Sequence, residues 1–221
     1  YYIQSKLGTV LDVTSASAAA GTNVQTYTFN QSTAQKWTLL ETEKTLYSIM
    51  GKTNVSVSQM VKFYKNKATV SYPYSNVSEA PTIEKFCQIY KEESEVEGVK
   101  AEVAFAQAMM ETGFLKFGGD VKKDQYNFAG IGAIGGGSSG AKFDSIRIGI
   151  RAHVQHLKAY ASKEALKQPV VDPRFQYVKR GSAEYVQWLG QKENPNGYGW
   201  ATAKNYGNNI VKLYILPMKK Y

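Results

Sequence analysis

"AEVAFAQAMMETGF", residues 101–114, is apolar on every side from 103 to 110 except at Gln107. A helix of this kind is buried on most faces and forms the centre of a fold. It carries a glutamate near each end, Glu102 and Glu111. At about 100° per residue, their separation puts them on opposite faces. Glu102 lies in the first turn, where the helix dipole favours an anion, and reads as a solvated cap. Glu111 lies in the last turn, just before Gly113, with Ala104, Gln107, Ala108 and Leu115 as helical neighbours. There the dipole disfavours an anion and the apolar neighbours desolvate it, so both effects raise the carboxyl pKa. A carboxyl that keeps its proton to near-neutral pH beside a cleft suits a glycosidase general acid. Local physics leaves a second account standing, in which Glu111 pairs with a Lys or Arg elsewhere in the fold.

Around this helix the chain is mostly helical from 79 onward. "SEAPTIEKFCQIYKEESEVEG" (78–98) starts near Ser78 or Glu79, holds Pro81 in its first turn and stops at Gly98. Further helices are expected over 145–162, 182–191 and 203–216, and a short one over 56–65. Residues 1–40 have no helical period. They read as short strands punctuated by Gly8, Gly21 and Asn30. The expected organisation is an all-β segment 1–40, a connecting segment 41–78 and a catalytic domain 79–221. The fold class is α+β and mainly α.

"NFAGIGAIGGGSSGAKF" (127–143) contains Gly130-x-Gly132-x-x-Gly135. A dinucleotide loop follows a buried strand and opens a helix. Here polar "DVKKDQYN" precedes the glycines and "GGSSG" follows, so the cofactor reading fails. "NFAGIGA" is expected as a strand along a cleft floor. "GGGSSG" is expected as a tip that is poorly ordered without substrate.

The chain has 221 residues, 43% hydrophobic and 20% charged, with sixteen tyrosines and a net charge of +9. The excess charge argues for a polyanionic partner. Its basic residues are scattered, with only pairs such as Lys122-Lys123, which counts against nucleic acid. Cys87 is the single cysteine, so no internal disulfide forms, and no Cys/His cluster supports a zinc site. His153 and His156 lack further ligands at metal spacing, and His153 reads as a hydrogen-bonded structural residue. No run is long enough to insert in a membrane.

Three blocks in order, Gln107/Glu111-Thr112-Gly113, "YNFAGIGA" (126–133) and "GYGWATAKNYGNNI" (197–210), resemble the bacterial glucosaminidase domain, family 73 of the glycoside hydrolases. The resemblance spans 79–217. It implies a lysozyme-like helical lobe facing a small β-lobe or hairpin across a cleft. The implied activity is cleavage of peptidoglycan after N-acetylglucosamine, as in autolysins, with no cofactor. Glu111 is the implied general acid, and Tyr206 lies near the cleaved sugar. Gln107, Asn127, Phe128, Tyr198 and Trp200 are the candidate substrate contacts. Asp144 is the candidate second acid, with helix capping as its alternative role. Assistance by the substrate's own N-acetyl group would remove the need for it. A lytic transglycosylase and a non-catalytic wall-binding module are the competing functions. The implied setting is a secreted, wall-associated monomer.

Residues 1–40 resemble one repeat of a ricin-type β-trefoil lectin, on "VLDV" (10–13), "GTNVQTYTFN" (21–30) and Gln35-x-Trp37. The family can bind sugar through an Asp at the position of Asp12, while the Gln-x-Trp pair is structural.

Overall fold

The structure is a computed structural model that describes residues 1–37, 45–133 and 140–221. Two compact units divide between Thr45 and Leu46. Most of the glycine-rich tip therefore lies outside the described residues, as do 38–44.

The N-terminal unit holds one antiparallel hairpin, β1 (Val10–Val13) with β2 (Val24–Tyr27), in register Val10 to Tyr27. Its centre is polar. Asp12 accepts from Gln25 Nε2 at 3.1 Å on one oxygen and from Gln35 Nε2 at 3.1 Å on the other. Trp37 Nε1 donates to Leu11 O at 3.1 Å. The Gln-x-Trp pair, at a 3-10 turn over Thr33–Gln35, thus ties the segment after β2 to β1, the structural role expected for it.

The second unit is helical: α1 (Val57–Lys67), α2 (Ile83–Glu97), α3 (Ala101–Thr112) and α4 (Ile146–Ala161). A C-terminal helical run follows. It is α5 (Tyr206–Asn209), a π-helical stretch Ile210–Ile215 and α6 (Leu216–Met218). Pro217 has no N–H to return to the preceding turn, and the ladder widens ahead of it. α3 is the central helix its sequence describes, with Ala101–Met109 buried throughout. The other helices enclose it in one core that includes Phe63, Phe86, Tyr90, Phe105 and Ile150. No helix among the described residues is long and apolar enough to cross a membrane.

Several expectations are corrected. Residues 46–78 are no connector, because Ile49, Met60, Phe63 and Tyr74 sit in the same core as α2 and α3. α1 begins at the capping box of Ser56 and Gln59 and runs to Lys67. α2 begins later than Ser78, with Thr82 as its cap. Glu79 serves α4 instead, accepting from Ser145 Oγ and from Arg147 N at 3.2 Å each. Residues 182–191 form only a 3-10 turn, Val186–Leu189. Glu102 is no solvated cap. Its side chain is fully buried and accepts from the Tyr47 hydroxyl at 2.7 Å and from Asn54 N.

Acid–base pairs bind α4 to α2. Arg147 bridges Glu92 and Glu93 at 2.8 and 2.7 Å, and Arg151 reaches Glu93 at 2.9 Å. Lys158 and Glu97 form a pair at 2.9 Å with both side chains wholly buried. Glu97 also accepts from the backbone of Lys167 and Gln168, which satisfies its remaining lone pairs.

Candidate active site

Glu111 stands on the last turn of α3, and the chain leaves that helix in an unusual way. Gly113 takes the left-handed conformation that ends many helices. Phe114, Leu115 and Phe117 follow with φ of 58°, 62° and 56°. Such backbone is strained in residues with a Cβ and persists only where the surroundings impose it. Thr112 imposes it here. Its hydroxyl donates to Ala108 O at 2.7 Å and accepts from Leu115 N at 3.0 Å, and its carbonyl accepts from Phe117 N at 2.8 Å. Leu115 is drawn into the core, and the Phe114 ring stacks on Tyr214 at 5.6 Å. This accounts for the Thr-Gly that follows Glu111.

The turn carries Phe117, Gly119, Asp120 and Val121 round to one side of a cavity of about 280 Å³. Glu111, Thr112 and Gly113 also line it, with Asn127, Gly130 and Ala133. The lobe between α3 and α4 contributes no strand among the described residues. "NFAGIGA" forms turns organised by the Asn127 side chain. Asn127 Nδ2 donates to Ile131 O at 2.9 Å and Ala141 O at 3.0 Å, and Oδ1 accepts from Ile131 N at 2.9 Å. The lobe lies directly on α4 because residue 149 is glycine. A Cβ there would meet the Tyr126 carbonyl oxygen at 1.8 Å.

Gly207 works in the same way for the C-terminal run. A Cβ there would meet Val186 O at 1.9 Å, so glycine lets α5 close on the 186–189 turn. That contact sets the neighbouring Tyr206 beside α3. The Tyr206 hydroxyl hydrogen-bonds Oε1 of Glu111 and accepts from Gln107 Nε2 at 2.8 Å. Gln107 Oε1 meets His153 Nε2 at 2.9 Å, and His153 Nδ1 meets the Tyr90 hydroxyl at 3.2 Å. His153 is thus the hydrogen-bonded structural residue its sequence setting suggested.

Electrostatics at Glu111 follow the sequence argument in part. Desolvation pushes its pKa up, and the smaller opposing effect is the hydrogen bond from Tyr206. The carboxyl is nevertheless open enough to the cavity to meet a ligand. Burial, and then the Glu111 charge, raise the Tyr206 phenol well above its ordinary range, so it remains a proton donor. Burial, with His156 nearby, drives the His153 pKa down to about 3, and the ring is neutral.

The remaining candidates divide. Asn127 lines the cavity, although its amide is committed to the lobe backbone. Gln107 and Phe128 are core residues, 0% and 1% exposed, and meet no solvent. Phe128 packs edge-on to Phe86 at 5.1 Å. Trp200 lies over α4, edge-on to His156 at 4.6 Å, and does not line the cavity. Tyr198 is half exposed beneath the Lys179 ammonium at 3.9 Å, also away from the cavity lining. Asp144 is exposed, and Ser145 rather than Asp144 caps α4. The acid that lines the cavity with Glu111 is Asp120. Among the described residues no group of acids, His or Cys is arranged to hold a metal.

The family profile described as mannosyl-glycoprotein endo-beta-N-acetylglucosaminidase matches residues 87–215. The ricin-type beta-trefoil lectin domain-like profile matches residues 1–70. An uncharacterized protein of Borreliella burgdorferi is 46% identical over 132 residues, 60% of this chain and 61% of that protein. The chain therefore spans about three-fifths of that relative's length. A crystal structure of autolysin E from S. aureus, in complex with the muropeptide NAM-L-Ala-D-iGlu, aligns with a TM-score of 0.52. It is 20% identical, and the alignment covers 81% of this chain and 73% of that one, a likeness of fold.

Proposed function

The chain belongs to the glucosaminidase family, and on that premise we propose that it hydrolyses the β-1,4 bond after N-acetylglucosamine in peptidoglycan, with Glu111 as general acid. The observation that carries this reading is the state of Glu111. Its carboxyl lines a cavity, burial holds its pKa up, and one oxygen is occupied by Tyr206. A protonated carboxyl so placed gives its proton to the glycosidic oxygen as the bond breaks, while positive charge develops on the sugar. The resulting carboxylate is stabilised by the Tyr206 hydroxyl and regains its proton from solvent where Asp120 deprotonates the attacking water, or from that water where the acetamido oxygen assists. Support for the substrate comes from the likeness of fold to a structure that holds a muropeptide. The net charge of +9 suits an anionic wall. This reading assigns the protein to the cell wall, outside the membrane, acting as a monomer.

The second acid on this reading is Asp120, which lines the cavity, in place of Asp144. Asp120 activates the attacking water, or holds it while the substrate's acetamido oxygen assists. Turbidity of purified cell walls tests the proposal. The parent protein clears them, and Glu111→Gln clears them about 10²–10⁴-fold more slowly, the usual worth of a general acid. Equal clearing by the two proteins sinks it.

A further inference from the structure

Four buried side chains lead from the middle of the core to Glu111: Tyr90 on α2, His153 on α4, Gln107 on α3 and Tyr206 on α5. All are 0–8% exposed, so each polar atom must find its partner within the chain. The direction of the hydrogen bonds follows from the number of protons available. His153 is neutral, so one ring nitrogen donates and the other accepts. Among the described residues, Tyr90 Oη has His153 Nδ1 as its one hydrogen-bond partner. If Nδ1 donated to it, the Tyr90 proton would be left as a buried orphan donor, the costlier kind of unsatisfied group. Tyr90 therefore donates to Nδ1, and His153 carries its proton on Nε2. That proton goes to Gln107 Oε1, which turns the Gln107 amide N–H₂ toward Tyr206. Tyr206 Oη accepts there, and its own proton has one destination left, Oε1 of Glu111.

We propose that Tyr90, His153 and Gln107 are positioning residues that fix the Tyr206 proton on Oε1 of Glu111. Oε2, the oxygen Tyr206 does not touch, is then the one that carries the acid proton to the substrate. The inference rests on the hydrolase reading for its purpose, and its geometry is independent of that reading. Tyr214 and the cavity's Asp120 also face Glu111, and His156 and the ring of Trp200 also face His153. None of these is bonded into the chain, so the ordering runs through Gln107 alone.

Carboxyl NMR titration of Glu111 in the intact chain, labelled with ¹³C-glutamate and assigned with Glu111→Gln, reads the relay without substrate. In His153→Phe the Gln107 oxygen loses its donor, the amide turns over, and Tyr206 gives its proton to Gln107. The Glu111 midpoint rises by about one pH unit, the size of one lost hydrogen bond to a carboxylate. Tyr206→Phe raises it by the same amount, and adding His153→Phe to Tyr206→Phe changes nothing further. His153→Gln, which keeps an N–H donor, restores the parent midpoint. Should His153→Phe fail to fold, His153→Leu removes the same donor within the volume of the histidine and raises the midpoint equally, while Gln107→Met, which cannot accept the Tyr206 proton, keeps the parent midpoint. On cell walls, kcat falls by up to about tenfold in the variants whose midpoint rises, with KM unchanged. A folded His153→Phe or His153→Leu with the parent midpoint, or one whose shift persists in the Tyr206→Phe background, overturns the relay. A parent protein inactive on walls sinks the hydrolase reading instead, and the titration still decides the relay.

Discussion

Tyr206 hydrogen-bonds Oε1 of Glu111 from 95 residues further along the chain. The bond pulls the Glu111 pKa down against a larger upward push from burial. The fold therefore keeps an acid in a place that disfavours its charged form, and this has a cost in stability. A carboxyl whose folded pKa lies above its ordinary value of 4.5 binds its proton more tightly when folded. Its contribution to stability is full below pH 4.5 and is lost as the pH rises through the folded value. Glu111→Gln has no charge to disfavour. Its melting temperature should exceed the parent's at pH 7, with the gap closing below pH 4.5. A gap that stays constant with pH contradicts this account of Glu111.

Asp120 lines the cavity and Asp144 does not. Asp120→Asn should lower kcat on peptidoglycan about 10²-fold or more, the low end for a general base. Asp144→Asn should leave kcat near the parent's. The reverse ranking, measured under the same conditions, returns the second-acid role to Asp144.

The Lys158–Glu97 pair has no exposure at all. Removing one charge leaves the other buried without its partner, at a cost of about 3–5 kcal/mol. Glu97→Gln should therefore lower the unfolding free energy by about that amount in urea titrations. A loss under 1 kcal/mol would mean that water reaches the site.

In the N-terminal unit, Gln35 is fully buried and serves Asp12, Thr28 and Asn30 at once. Gln35→Ala leaves those groups short of partners, a cost of about 1–3 kcal/mol for each buried orphan. Limited proteolysis should then cut within residues 1–37 while 46–221 stays intact. Equal resistance in parent and variant would show that the Gln-x-Trp pair does not hold this unit.

The sequence revealed Glu111 and its helix because the information there is local. An unbroken apolar stretch, a helix end and a following glycine all lie within fourteen residues. It misread Glu102 because the partner that makes burial tolerable, Tyr47, is 55 residues away. Gln107 was legible as part of a motif, while its role between His153 and Tyr206 depends on three segments meeting. Residues 182–191 have helical spacing, yet Tyr47 N and Ile49 N pair with Gln187 Oε1 and Glu184 O, and these tertiary bonds hold the segment open. The lobe of 127–133 looked like a strand. The Asn127 side chain satisfies its backbone in place of a neighbouring strand.

Hydrolysis after N-acetylglucosamine by Glu111 leaves its mark in the chemistry of the new chain ends. Purified peptidoglycan would be digested by the parent and by Glu111→Gln, reduced with borohydride and analysed by mass spectrometry. The parent should yield reduced N-acetylglucosamine ends and the variant essentially none. Anhydro-muramic ends from the parent, or the same ends from both proteins at equal rates, would contradict it.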